Sequence, residues 1–371
     1  MSTHTVIKVI LNIILVSQLC FIAHGSTSTF NKRVCETPIK PGDFMIGGMF
    51  DPYRSVKTPC DGELLWHRVS LVESMIYAID LINKRSDILP NVSLGYEMKN
   101  NCFNEDITLW TMLTMTSPSR NVEFTEKCPD YVREKSDKVV AVIGPLTSTS
   151  SLIAAKVGGL YGIPVISYWA TSDELSDTER FPFFFRTISP DKFQVGAIID
   201  LLVRFNWKYI GLFYSVDIYG IYGARQIQLL TEKYGICLAI NMPVSGEESL
   251  KSEATDIKDK LENNDKVSVI VIFSNHNTAG AVLRVVKDIS RRFIVIGSDA
   301  WGPEYNTEEE NTLVPEGSLF VRIGSISTSP FQEYYNTLPA HPERTSQRYK
   351  AWGTSPNQCA NGVTMNKFRQ K

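Results

Sequence analysis

Histidine is scarce in this chain of 371 residues: there are five, and only His67, His276 and His341 lie beyond the first 25 positions. No HExxH or GxSxG sequence accompanies them, and no carboxylate pair stands out by spacing, so the usual signatures of zinc hydrolysis and serine acyl transfer are missing. None of the seven cysteines forms a CxxC, which argues against metal-finger and thioredoxin-type chemistry. Charge of one sign is lacking as well. The 38 Lys and Arg residues and 40 Asp and Glu residues are spread evenly, giving a formal charge of -2 and no electrostatic footprint for nucleic acid. There is no internal repeat, no low-complexity linker and no phosphate loop, since GPLTSTSS (Gly144 to Ser151) lacks the Gly-Lys-Ser/Thr ending. No cofactor is implied.

Long apolar runs are equally rare. One runs from Val9 to Ala23, after Lys8 and before the small residues Gly25 and Ser26, and it is interrupted by Asn12, Ser17 and Gln18. It reads as a secretory signal over residues 1–25 rather than a membrane anchor, and no comparable run recurs downstream. Cys20 leaves with that signal. Cys35, Cys60, Cys102, Cys128, Cys237 and Cys359 then face an oxidising compartment, where pairing is expected but spacing does not give the connectivity. The sequon Asn91-Val92-Ser93 follows Leu89-Pro90 in an expected surface loop, in keeping with secretion and glycosylation.

What the chain does have is core and rhythm. Hydrophobic residues make up 43% of it, and the length left after the signal suits two lobes of roughly 150 residues each. Apolar runs bounded by turn residues alternate with amphipathic segments: DFMIGGMF, a helix over about 67–84, SLGYEM, a helix over about 106–115, VVAVIGP, a helix through Tyr161, and IPVISYW. From about Pro190 the alternation restarts with YIGLFYS, ICLAINM, VSVIVIFS and RFIVIGSDAW as strands. This βαβα order predicts an α/β fold with a doubly wound parallel sheet in each lobe. The expected boundaries are 26–190 for lobe I, 191–325 for lobe II, and 326–371 for an incomplete return to lobe I and a divergent tail. FFFRTISPD would be the crossing between lobes.

Ligands of open α/β sheets bind outside the carboxyl ends of the strands, so residues there are the candidates. Ser148 opens a helix after VVAVIGP and suits a carboxylate, although Thr147, Ser148 or Thr149 could equally serve as the helix cap. Thr171 follows the next strand. Asp191 could pair with an ammonium group, but Ser189 as cap with Pro190 in the first helical position is the ordinary local reading. Tyr219 could lay its ring over a cation, and Asp299 could supply a second carboxylate. Together the five carry what a zwitterion needs.

VIGPLTSTSS, IPVISYWATSDELSD, FFFRTISPD, RFNWKYIGLFYSVDIYG and IGSDAW resemble the successive signatures of the extracellular Venus-flytrap domain of class C G-protein-coupled receptors, the group of metabotropic glutamate and calcium-sensing receptors. The resemblance runs from about Gly42 to Ile323. It implies a two-lobed, periplasmic-binding-protein-like fold whose interlobe cleft grips a free α-amino acid. Ser148 and Thr171 would hold the carboxylate, Asp191 and Asp299 the ammonium, and Tyr219 would stack from the second lobe, with Trp169 and Ala170 beside Thr171 in the pocket. It further implies a Cys60–Cys102 disulfide, an inter-subunit bridge through Cys128, a homodimer or heterodimer with related receptors through the helix Ser150 to Tyr161, and a buried thiol at Cys237. Cys35 and Cys359 have no counterpart.

Two departures qualify the resemblance. Glutamate-selective members carry an Arg where this chain has Leu71, ahead of Val72-Glu73-Ser74-Met75, so glutamate is not the expected ligand, and Trp169 replaces a small residue. After about Tyr335 the family character is lost, and neither a cysteine-rich stalk nor seven helices follow. A soluble splice form, a partial gene model and a degraded receptor copy all stay open. The chain is expected to be secreted as given, or to lie on the outer face of the plasma membrane within a full-length receptor, reaching a G protein only through the seven-helix domain. The competing functions are a non-signalling dimer partner of full-length receptors and a peptide- or nutrient-binding ectodomain of the same fold; an enzyme is not expected.

Overall fold

The computed structural model describes residues 39–52, 66–116, 139–245, 250–302, 312–324 and 329–337, all within one compact unit that begins at Thr37. The expected signal over 1–25, Cys35, Cys60, Cys128, Cys359, the return segment 325–328 and the tail beyond 337 lie outside the described residues.

The first half supplies β1 (Ile39–Lys40), β2 (Phe44–Phe50), α1 (Trp66–Lys84), β3 (Leu94–Asn100), α2 (Glu105–Thr116), β4 (Val139–Ile143), α3 (Ser148–Tyr161), β5 (Val165–Ser167), a 3₁₀ turn (Asp173–Ser176) and β6 (Phe184–Arg186). Its six strands form one sheet in the order β1-β3-β2-β4-β5-β6. All neighbours are parallel except β1, which runs antiparallel to β3 at the edge. The core between this sheet and α2 and α3 is built from Met45, Met49, Met112, Met115, Val142, Ala154 and Val165, each no more than 2% exposed.

The second half supplies α4 (Asp191–Arg204), β7 (Tyr209–Ser215), α5 (Ile218–Lys233), β8 (Cys237–Val244), α6 (Leu250–Glu262), β9 (Val269–Phe273), α7 (His276–Lys287), β10 (Ile294–Gly297) and β11 (Leu319–Phe320). Its five strands lie in the order β11-β10-β9-β7-β8, every pair parallel. All five residues of β9 are buried. Val269, Val271 and Phe273 join the core under α4 and α5, while Ile270 and Ile272 join the core under α6 and α7. A strand covered on both faces needs no polar alternation, and each buried Val or Ile contributes about 1.5–3 kcal/mol relative to leaving it exposed. This is the two-lobed α/β architecture expected of periplasmic-binding-protein-like domains. A last helix, α8 (Ser329–Thr337), packs on α1, where the Tyr334 hydroxyl donates to Glu73 Oε2 at 2.9 Å and its ring lies 4.7 Å from that of Tyr77.

One open alternative is resolved and two local expectations are corrected. The cap of α3 is Thr147, whose side chain accepts from Ser150 N–H at 3.1 Å, so Ser148 is the first helical residue and its hydroxyl is spared that task. Ser189 does not cap α4: the cap position is Pro190, without a side-chain bond, because Asp191 N–H is anchored to Thr171 O at 2.8 Å. Cys237 is a free, exposed thiol rather than a buried one, since it opens β8 on the edge of its sheet with its side chain turned outward. Cys102 is buried and disulfide-bonded. Its partner lies outside the described residues, and Cys60 remains the proposed one. Asn91 is exposed, with φ +62°, in the turn closed by Val92 N–H to Leu89 O at 3.1 Å.

Candidate functional site

The carboxyl ends of β4 and β5 present Ser148 and the loop 169–172. Ser148 is buried, and its hydroxyl oxygen accepts from Ser172 N–H at 3.2 Å. Ser167 Oγ accepts from the N–H groups of Trp169 and Ala170 at 3.3 and 3.0 Å, which turns the chain sharply after β5. The outer side of the loop is clamped by Arg186 at the end of β6. Its Nη1 donates to the carbonyls of Ala170, Thr171 and Ser172 at 3.2, 3.0 and 3.0 Å. With three carbonyls drawn away to one cation, the loop offers donors: Ser172 Oγ is buried without a partner beside the Ser148 hydroxyl. Half-burial lowers the pKa of Arg186, and the carboxylates of Asp173 and Asp191 oppose that effect.

The second lobe contributes an acidic centre. Asp191 at the start of α4 is 1% exposed, Tyr219 in the first turn of α5 is 8%, and Asp299 after β10 is 6%. The Tyr219 hydroxyl donates to Asp299 Oδ1 at 2.6 Å, and one face of its ring stacks on Phe273 at 4.7 Å. Burial first, then the charge of Asp299, pushes the Asp191 carboxyl up to about 8. The Thr171 hydroxyl and the Gln194 amide pull the other way, yet Asp191 Oδ2 has no donor in hydrogen-bonding geometry. Burial also raises Asp299, opposed by the hydrogen bonds from Tyr219 and Gln194. Burial and the neighbouring carboxylates hold Tyr219 as a neutral phenol. A site with two buried acids, a neutral aromatic and an open carboxylate oxygen is built for a cation able to donate hydrogen bonds.

Of the residues marked in the sequence, Asp191, Tyr219 and Asp299 share one hydrogen-bond network. Thr171 joins it through its carbonyl at Asp191 N–H, while Ser148 is tied to the neighbouring loop by accepting from Ser172 N–H. Ala170 is buried in the clamped loop, Trp169 half-buried beside it, and Leu71 half-buried on α1. Leu71 brings no charge to the site. Sequence reading missed Gln194, which lies between the two aspartates one turn after Asp191, and it missed Arg186 and Ser172. Gln194 was detectable in principle, since i and i+3 share a helix face.

Contacts across the cleft complete the site. Ile218 N–H, at the start of α5, donates to Thr149 Oγ1 of α3 at 3.3 Å. The Tyr222 hydroxyl of α5 faces Glu174 of the 3₁₀ turn, and that interaction raises the Tyr222 pKa; Arg180 Nη1 holds the same carboxylate at 2.5 Å. Among the described residues no cluster of three His, Cys, Asp or Glu side chains could hold a metal ion, and no helix is long and apolar enough to cross a membrane.

Comparison with known proteins identifies the family. The chain is 30% identical over 310 residues to metabotropic glutamate receptor 8 of Homo sapiens, covering 80% of this chain and 34% of the receptor. It is 31% identical over 324 residues to a metabotropic glutamate receptor of Drosophila melanogaster (83% and 32%), and 30% identical over 339 residues to a probable metabotropic glutamate receptor of Caenorhabditis elegans (84% and 33%). The chain thus spans about a third of the length of these relatives. Residues 71–358 match the family described as receptor family ligand binding region. The chain therefore belongs to that family, as a class C G-protein-coupled-receptor-like ligand-binding domain of an extracellular receptor type and not an enzyme.

Proposed function

We propose that the cleft binds a free α-amino acid other than glutamate and that this binding is the sensing step of a class C receptor on the extracellular face of the membrane. The observation that carries the reading is the bare, buried Asp191 Oδ2 beside a second buried carboxyl, Asp299. An α-ammonium group supplies both the missing charge and the missing donor. Ser148 and Thr171 supply hydroxyls for the α-carboxylate, with Ser172 Oγ beside Ser148, and the Arg186 clamp keeps carbonyl oxygens out of its way. Charge-assisted hydrogen bonds contribute about 1.5–3 kcal/mol each, so three or four, less ordering costs, reach the roughly 8 kcal/mol of a micromolar site. Leu71 cannot pair with a side-chain carboxylate, which removes glutamate.

A thermal-shift panel of the twenty amino acids tests this. A small or apolar amino acid is expected to raise Tm and glutamate is not, while Asp191→Ala and Thr171→Ala each weaken binding about tenfold or more. No shift with any amino acid, in a folded preparation, would refute the reading. A dimer partner is the second function the surface favours: Leu160 is 77% exposed at the end of α3, and Trp110, Leu109 and Leu113 are exposed on the adjoining α2. Apolar side chains gathered on one face suit a protein contact.

A further inference from the structure

Gln194 is buried and makes four polar contacts inside the acidic centre. Its Nε2 lies 2.5 Å from Asp191 Oδ1, 2.7 Å from Asp299 Oδ1 and 3.4 Å from the Tyr219 hydroxyl. Its Oε1 accepts from Asp299 N–H at 3.2 Å. A side-chain amide carries two N–H hydrogens and one carbonyl oxygen. Both hydrogens are matched by the two carboxylates and the oxygen by a backbone N–H, so the amide has one satisfied orientation. Turned over, it would set its oxygen against two carboxylates. Glutamate at this position would lack the two donors, and an apolar side chain would lack all four contacts.

The consequence is a division of labour between the oxygens of Asp191. Oδ1 is taken by the amide, and Oδ2 is buried with no donor. The amide is neutral, so it ties the two carboxyl groups into one arrangement without supplying a cation to either. We propose that Gln194 is a positioning residue for the ligand ammonium: it fixes Oδ1 of both aspartates and leaves Asp191 Oδ2 as the acceptor the incoming cation meets. This deepens the amino-acid reading and rests on it for the identity of the cation, while the hold on the two carboxylates stands without a ligand.

The groups facing Asp191 are Asp299 beyond β10, Tyr219 on α5, Asp173 in the 3₁₀ turn, Arg186 on β6 and the Thr171 hydroxyl. Gln194→Met keeps the length and removes only the polar end. The test follows the Asp191 carboxyl by 13C NMR of the ligand-free full chain, assigned with Asp191→Asn, together with glycine and L-alanine affinity from pH 6 to 9. In Q194M the Asp191 midpoint is expected to rise by about one unit, weakening binding about tenfold at pH 7 and only about twofold at pH 9. A residue that only packs the helix would lower Tm and weaken binding equally at every pH. An unmoved midpoint in Q194M overturns the proposal. If Q194M does not fold, the isosteric Gln194→Glu is expected to raise the midpoint further, and the same unmoved value overturns the proposal. If neither glycine nor L-alanine binds the unaltered protein, the amino-acid reading fails while the NMR midpoint still decides what Gln194 does.

Discussion

Ligand affinity should climb steeply between pH 6 and pH 8, and the direction follows from Asp191. Its carboxyl is pushed up to about 8 by burial and by Asp299, so near neutral pH the empty site holds a proton that an ammonium ligand must displace. If only the ionised carboxylate receives the ammonium, the apparent Kd exceeds its limiting value by a factor of about 100 at pH 6, about 11 at pH 7 and about 2 at pH 8. That is roughly a fifty-fold gain over two pH units, or about 2 kcal/mol. The ammonium of a free amino acid stays protonated across that range and does not offset the gain. Stability of the ligand-free protein should move the opposite way. Asp191 binds more proton in the native state than in the unfolded chain between the ordinary aspartate value of 3.8 and about 8, so its contribution to stability is fully present below that window and is lost as pH rises through it. Isothermal titration at pH 6, 7 and 8 in two buffers of different ionisation enthalpy measures both the affinity and the protons released. A Kd that is flat or rises with pH, with no proton release near pH 7, would refute the reasoning. Asp191→Asn should abolish the proton release.

Two further changes test the scaffold behind the site. A Cβ at Gly223 would lie 1.9 Å from the ring of Phe273, which stacks on Tyr219, so Gly223→Ala should cost about 1–3 kcal/mol by denaturant unfolding and weaken ligand binding by displacing the Tyr219 ring. Gly159→Ala, with nothing within 4 Å, should be neutral or stabilise by about 0.5–1 kcal/mol; a large loss there would show that the argument from space is wrong. Tyr222→Phe removes only the hydroxyl that crosses to Glu174 and leaves the Arg180 pair intact. If that contact helps hold the two lobes around a ligand, losing about 0.5–1.5 kcal/mol should raise Kd about two- to tenfold, mainly through faster dissociation, and an unchanged dissociation rate in stopped flow would count against a role in closure.

The alternation of strands and helices was legible because burial on both sheet faces leaves continuous apolar runs such as VIVIF, bounded by polar caps. The caps were legible only in kind. Hydroxyl-rich GPLTSTSS announces a helix start, but Thr147, Ser148 and Thr149 are chemically alike in sequence, and only backbone geometry makes Thr147 the acceptor and releases Ser148 for the cleft. SPD reads as a capped start with Pro190 in the first turn, yet the anchor is Thr171 O, a residue 20 positions away on the other lobe. Local propensity cannot anticipate a partner supplied by tertiary structure. Cys237, a buried thiol by the family resemblance, is exposed because its strand lies at the sheet edge.

The five strand-end residues could be gathered from sequence because each ends a recognisable strand or opens a helix, and strand ends in two parallel sheets converge on one cleft. Gln194 could not be gathered that way, since glutamine inside a helix is most often a solvated side chain. What changes its meaning is the pair of buried acids around it. Asp191 and Asp299 lie 108 positions apart in sequence, and without knowing that they meet there is no reason to ask which residue keeps them together. Two buried carboxylates that share no cation repel one another, and one of them takes up a proton unless donors are aimed at it. The neutral amide of Gln194 supplies donors to both without occupying the open oxygen. With no donor aimed at Asp191 Oδ2, the ligand-free centre holds a proton near neutral pH, and a ligand that displaces it would have to bring a positive charge and at least one hydrogen in the same group. That requirement selects an ammonium over a neutral amide or hydroxyl before any side-chain pocket is consulted.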